Sequence, residues 1–119
     1  MVAELFLLLV LTRNGAGDIN AAFVHAPTLE ACEMHQTLTQ SIFVAAGVDV
    51  IESRCGKSRL RFSEFNHAAS SSMIRNFYTI DLQGAGLAIE AAGDWPRCQE
   101  KSLQKAGLIC ASSVQSLIR

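Results

Sequence analysis

Charge is scarce in this chain. Asp, Glu, Lys and Arg make up 18% of its 119 residues and balance to a net charge of −1. Such a chain has no global field with which to gather nucleic acid or an acidic membrane surface, so binding of either kind would rest on a local patch. Proline is limited to two residues and tryptophan to one, and no C-x-x-C or H-x-x-x-H pair is present from which a structural zinc site is assembled. No metal and no cofactor are expected.

The form of an export signal is missing too. Leu5 to Leu11 is an unbroken apolar run, but Glu4 precedes it in place of Lys or Arg, and Arg13-Asn14-Gly15 follows where a small-residue cleavage site belongs. The run is also far short of the roughly 20 apolar residues of a membrane helix. It is expected to be a buried β-strand, neither signal peptide nor membrane anchor.

Hydrophobic residues, by contrast, make up 50% of the chain, enough for one core without metal or disulfide staples. A single domain over residues 1–119 is expected, with halves at 1–65 and 74–119 joined by a polar, Ser-rich loop from Asn66 to Ser72. After the first strand, Arg13 to Asp18 carries turn residues and a second apolar stretch runs from Ile19 to His25, which reads as a β-hairpin. Pro27 marks a helix start. Ala31, Met34, Leu38, Ile42 and Ala45 then recur at spacings of 3 and 4 up to Gly47, predicting one long amphipathic helix over about residues 28–46. Val48 to Cys55 resumes β-branched character.

The fold class expected is α+β: a β-β-α-β unit with a mainly antiparallel sheet in the order 2-1-3, the first strand central. That strand is apolar at odd and even positions alike, so a second layer must cover the face that the helix does not. The second half carries a weaker copy of the pattern: Phe77 to Leu82, a Gly84-Ala85-Gly86 turn, Leu87 to Ala91, a helix from Asp94-Trp95-Pro96 to about Lys105, and Leu108 to Cys110. It is read as a pseudo-repeat with a shorter helix, the alternative being a dissimilar extension with a homodimer covering the open face. Between the halves, Leu60 to Phe65 reads as a strand, although Phe62, Phe65, Ala69, Met73 and Phe77 also fit a helix. Ser113 to Arg119 is expected to be a short helical tail capped by Ser113.

Four cysteines carry the sharpest geometric argument. A helix over residues 28–46 runs roughly 27 Å, and eight strand residues return roughly 26 Å, which brings Cys55 level with Cys32. The same reasoning sets Cys110 near Cys98. Each pair is disulfide-compatible, but with no visible export signal the favoured reading is four reduced, buried thiols in a cytoplasmic protein, the alternative being a periplasmic or secreted one with both pairs bonded. Cys32, His35 and Cys55 fall short of the four ligands of a structural metal site. No catalytic residue is assigned, and the balance leans against an enzyme.

Gly56-Lys57-Ser58 resembles the end of a phosphate-binding loop, yet Ile51 stands where that motif needs its first glycine. What remains is local positive charge at Arg54, Lys57, Arg59 and Arg61, a candidate anion or nucleic-acid patch. The strand, turn and Leu29-Glu30-Ala31-Cys32 helix start resemble those of small bacterial and phage-type proteins. The resemblance covers the first half only and implies no activity.

The leading expectation is thus a small α+β binding or interaction module acting as a homodimer, with the unaccounted apolar strand face or the sheet edge as its contact surface, a protein partner as a further option and no membrane association. The alternatives are a nucleic-acid or phosphate binder using the 54–61 patch, and a small enzyme or ligand-binding protein with a pocket between the halves that includes His25, His35 or His67.

Overall fold

The computed structural model describes residues 5–63, 76–84 and 86–118. The element order is β1 (Leu5–Arg13), β2 (Ile19–Ala26), α1 (Leu29–Ala45), β3 (Asp49–Ser58), β4 (Arg61–Phe62), β5 (Asn76–Asp81), β6 (Ala88–Ala91), α2 (Trp95–Ser102), β7 (Leu108–Ser113) and β8 (Leu117–Ile118). Six strands form one sheet in the order β3-β1-β2-β7-β5-β6, and β4 pairs with β8 in a separate ribbon. The protein is a mixed α+β fold: a curled six-stranded sheet with two helices. Of the stretch 60–77 that fits strand or helix, Arg61–Phe62 and the residues from Asn76 onward are strand, and residues 64–75, with the Ser-rich joining loop, fall outside the described residues.

Local chemistry sets the first hairpin. The Asn14 side chain accepts from the Ala16 and Asp18 amides at 3.0 Å each, and Gly17 takes a φ of +87°, a conformation that a Cβ disfavours. β1 then pairs antiparallel with β2 on one side and β3 on the other. Thr28 caps α1 by accepting from the Ala31 amide at 3.0 Å, and Gly47 ends it at a φ of +74°.

Two clusters flank β1. Leu8 and Val10 pack beneath α1 with Ala26, Cys32 and half-buried Phe43. Leu7, Leu9 and Leu11 face the other way, into a larger core with Phe23, Phe62, Tyr78, Ile80, Ile89 and Ala111. The second layer that β1 requires is therefore intramolecular. The sheet curls until β5, β6 and β7 contribute to the same core as β1, and the β4–β8 ribbon adds Phe62 and Leu117. At its centre the Phe23 and Phe62 rings stack with centroids 3.8 Å apart, and Tyr78 meets both edge-on at 5.5 Å. Burial pushes the Tyr78 phenol above its ordinary pKa, and its hydroxyl donates to the Gln115 carbonyl at 2.9 Å.

The C-terminal segment is not the helical tail its sequence suggests. Ser113 ends β7 and Leu117–Ile118 forms β8. The reason is Gln115, whose side chain is buried and behaves as a piece of strand backbone. Its Oε1 accepts from the Phe23 amide at 2.8 Å, and its Nε2 donates to the Phe23 and Ser63 carbonyls at 2.8 and 2.7 Å. Strands β2 and β7 run parallel but share one ladder pair, Asn20 with Ser112, so Gln115 supplies the hydrogen bonds that the ladder does not.

All four cysteines, favoured as free thiols by their sequence context, are paired in the structure. Cys32–Cys55 ties the first turn of α1 to β3 with Cα atoms 6.1 Å apart, and Cys98–Cys110 ties α2 to β7 at 5.4 Å. Closing loops of this size stabilises a domain by about 3 kcal/mol each. The packing also makes a prediction for Gln115. Replacing it with Leu leaves two Phe23 backbone groups and the Ser63 carbonyl without partners, and urea unfolding should show a loss of about 3 kcal/mol.

Candidate interaction surface

The helix rotation is the least expected feature of the molecule. Met34, Leu38 and Ile42, read from the sequence as part of a core-facing stripe, are 63, 58 and 62% exposed. The side of α1 that meets the sheet carries Cys32, the one fully buried residue of the helix, and half-buried Ala31, Gln36, Thr39 and Phe43. Amphipathic period identified the helix but assigned its faces wrongly, because two contacts that periodicity does not weigh set the rotation. The Cys32–Cys55 bond holds the first turn against β3, and Gln36 Nε2 donates to the Ser53 carbonyl at 3.0 Å one turn later. The apolar stripe lies roughly a third of a turn from that face. It cannot roll inward without breaking a covalent bond.

Charge is absent along the same stretch. Residues 36–48 contain no Asp, Glu, Lys or Arg, and the charged residues of α1, Glu30 and Glu33, sit at its start. An exposed apolar stripe with charge only at one end is the composition of an interface centre.

The basic residues serve two different ends. Arg54, on β3 at one edge of the sheet, is only 18% exposed at its side chain and is oriented by Glu52, 3.4 Å from its Nε. Its guanidinium donates to the carbonyls of Leu82, Gly84 and Gly86, in the turn between β5 and β6 at the other edge. Beside it, a Cβ at Gly56 would lie 3.1 Å from the Leu87 side chain. The glycine of the phosphate-loop-like Gly56-Lys57-Ser58 thus has a packing reason: β3 and the β5–β6 hairpin approach there as the sheet curls. Lys57, Arg59 and Arg61 are exposed. On the outer side of the same hairpin, Lys105 pairs with Asp81, and this hydrogen bond, with one from the Gln83 amide, holds the Asp81 carboxyl below its ordinary pKa.

The histidines do not gather. His25 lies on β2 with its Nε2 accepting from the Phe62 amide at 3.0 Å, and its buried Nδ1 has no partner among the described residues. His35 is exposed on α1, and His67 is outside the described residues. Among the described residues, no three His, Cys, Asp or Glu side chains are placed to hold a metal ion, and no helix is long and apolar enough to cross a membrane. No known protein family, curated protein or solved structure matches the chain.

Sequence reasoning singled out Arg54 for anions and missed its structural use, because a three-carbonyl cradle formed by a turn 28 to 32 residues away has no local signature. Two measurements test this closure. In Arg54→Leu, amide exchange in the Leu82 to Leu87 turn should quicken by about tenfold or more at neutral pH while β1 stays protected. The Asp81 contribution is present above the ordinary carboxylate pKa and is lost as pH falls through the lowered one, so protection of the same turn, measured against the intrinsic exchange rate at each pH, should fall on acidification in wild type and stay flat in Asp81→Asn.

Proposed function

We propose that this chain is a binding module that works as a homodimer, joined through the outward stripe of α1. The observation that carries this reading is the exposure of Met34, Leu38 and Ile42 on a helix whose rotation is fixed by a disulfide. A second copy is the favoured occupant because charge is confined to the start of the stripe, at Glu30 and Glu33, and because a stripe of three residues spaced by four is self-complementary under a two-fold axis. Covering each of these side chains contributes roughly 1–2 kcal/mol. A net charge of −1 adds little repulsion between copies.

The two halves are further read as copies of one β-β-α-β unit. Support comes from β1 lying between β2 and β3, β5 lying between β6 and β7, and a cysteine in each helix bonded to the strand after it. The paired cysteines favour an oxidising compartment over the cytoplasm. The nucleic-acid reading keeps exposed Lys57, Arg59 and Arg61, while the Arg54 guanidinium is engaged within the fold.

Light scattering on a sizing column is the test. Wild type should run as a dimer at tens of micromolar, and Ile42→Glu should run as a monomer with an unchanged far-ultraviolet spectrum. A wild-type monomer throughout, or a dimer that survives Ile42→Glu together with Leu38→Glu, would contradict the proposal.

A further inference from the structure

A second surface lies where the two halves meet. On the outer face of the sheet, beside the β2–β7 seam, a cleft of about 400 Å³ is lined by Asn14, Asp18, Asn20, Phe77, Trp95 and Ser112. Its parts come from both halves: the β1–β2 turn and the start of β2 on one side, β5, β7 and the first residue of α2 on the other. Register explains how they converge. Alternate residues of β5 face opposite sides, so Tyr78 and Ile80 enter the inner core while Phe77 is left on the α2 side, where Trp95 packs on it with ring centroids 5.5 Å apart and planes inclined by 55°.

The polar groups divide into those already engaged and one that is not. Ser112 Oγ donates to Asn20 Oδ1 at 3.1 Å, and Asn14 Oδ1 is taken by the two turn amides. The Asp18 carboxylate has no hydrogen bond and no ion pair among the described residues. It lines this cleft and also an adjoining one of about 310 Å³ on the other flank of Trp95. Among the described residues, neither cleft has a Lys or Arg in its lining. Among the described residues, a carboxylate without a counter-ion thus stands beside an aromatic corner.

We propose that this seam cleft binds a guanidinium-bearing ligand, with Asp18 as its anionic partner and the Trp95 and Phe77 rings as its stacking surface. A flat cation fits both elements: its edge offers two parallel N–H donors to a carboxylate, and its face stacks on an indole. Cation–π attraction is strongest on tryptophan. A neutral sugar would use the same rings but gains nothing specific from an unpaired carboxylate, and a phosphate is repelled by it. The assignment is independent of the α1 dimer.

The single tryptophan supplies the readout, since all intrinsic indole fluorescence comes from Trp95. N-acetylarginine amide titrated into the wild-type protein should give a saturable fluorescence change, and N-acetylcitrulline amide, the same shape without the charge, should bind at least about fivefold more weakly. Asp18→Asn should abolish that preference. It leaves the turn intact, because only backbone groups of Asp18 hold the turn. Phe77→Leu keeps the reporter and should weaken both ligands. A response that never saturates, equal binding of the charged and neutral amides, or a preference unchanged in Asp18→Asn would each overturn the proposal.

Discussion

A strand that is apolar on both faces constrains everything else in this protein. Leu7, Leu8, Leu9, Val10 and Leu11 are all at most 2% exposed, so neither side of β1 tolerates water. One helix covers one side. The other is covered only if the sheet bends back on itself, and the bending determines which polar contacts the chain must then provide. Gln115 completes the seam between β2 and β7, where the parallel ladder is a single pair. Arg54 spans the opposite gap, from β3 to the β5–β6 turn. Both side chains satisfy backbone groups that the curl would otherwise leave without partners, which is why their removal is expected to be felt far from their own positions.

The same closure explains the surface. With the inner core filled from within the chain, α1 is not needed to supply large apolar groups to it, and the helix sits on the sheet through Phe43, small or polar side chains and a disulfide. Met34, Leu38 and Ile42 are left outside. In an ordinary surface helix this arrangement is costly and the helix would roll. Here the Cys32–Cys55 bond and the Gln36 contact to Ser53 oppose rolling, so the cost persists until something covers Met34, Leu38 and Ile42. The apolar strand face and the sheet edge, which the sequence offers as contact surfaces, are respectively filled by Phe23, Phe62 and Tyr78 and bridged by Arg54.

Much of the fold was legible because it follows from short-range rules. The Leu5 to Leu11 run, the Asn14 to Asp18 turn, the helix stop at Gly47 and the helix start at Asp94 each rest on a few adjacent residues, and helix and strand lengths brought Cys32 level with Cys55. What was not legible depends on distant pairs. Nothing near Gln115 announces that its amide will pair with Phe23, 92 residues away, and its Ser-rich surroundings suggested a helix cap. The 3-and-4 spacing of Met34, Leu38 and Ile42 reports that one face is apolar but not which way that face points. Asp18 drew no attention as a turn residue, since its lack of a counter-ion emerges only when Trp95 is placed beside it.

The central claim is that α1 meets its own copy about a two-fold axis passing near Leu38, and the paired native cysteines allow it to be tested covalently. Leu38→Cys introduces one free thiol at that axis. Under mild oxidation it should form an interchain disulfide quickly and to near completion, while Gln104→Cys, exposed beyond the end of α2, should remain monomeric on a non-reducing gel at the same protein concentration. Equal, slow cross-linking at both positions would contradict the account.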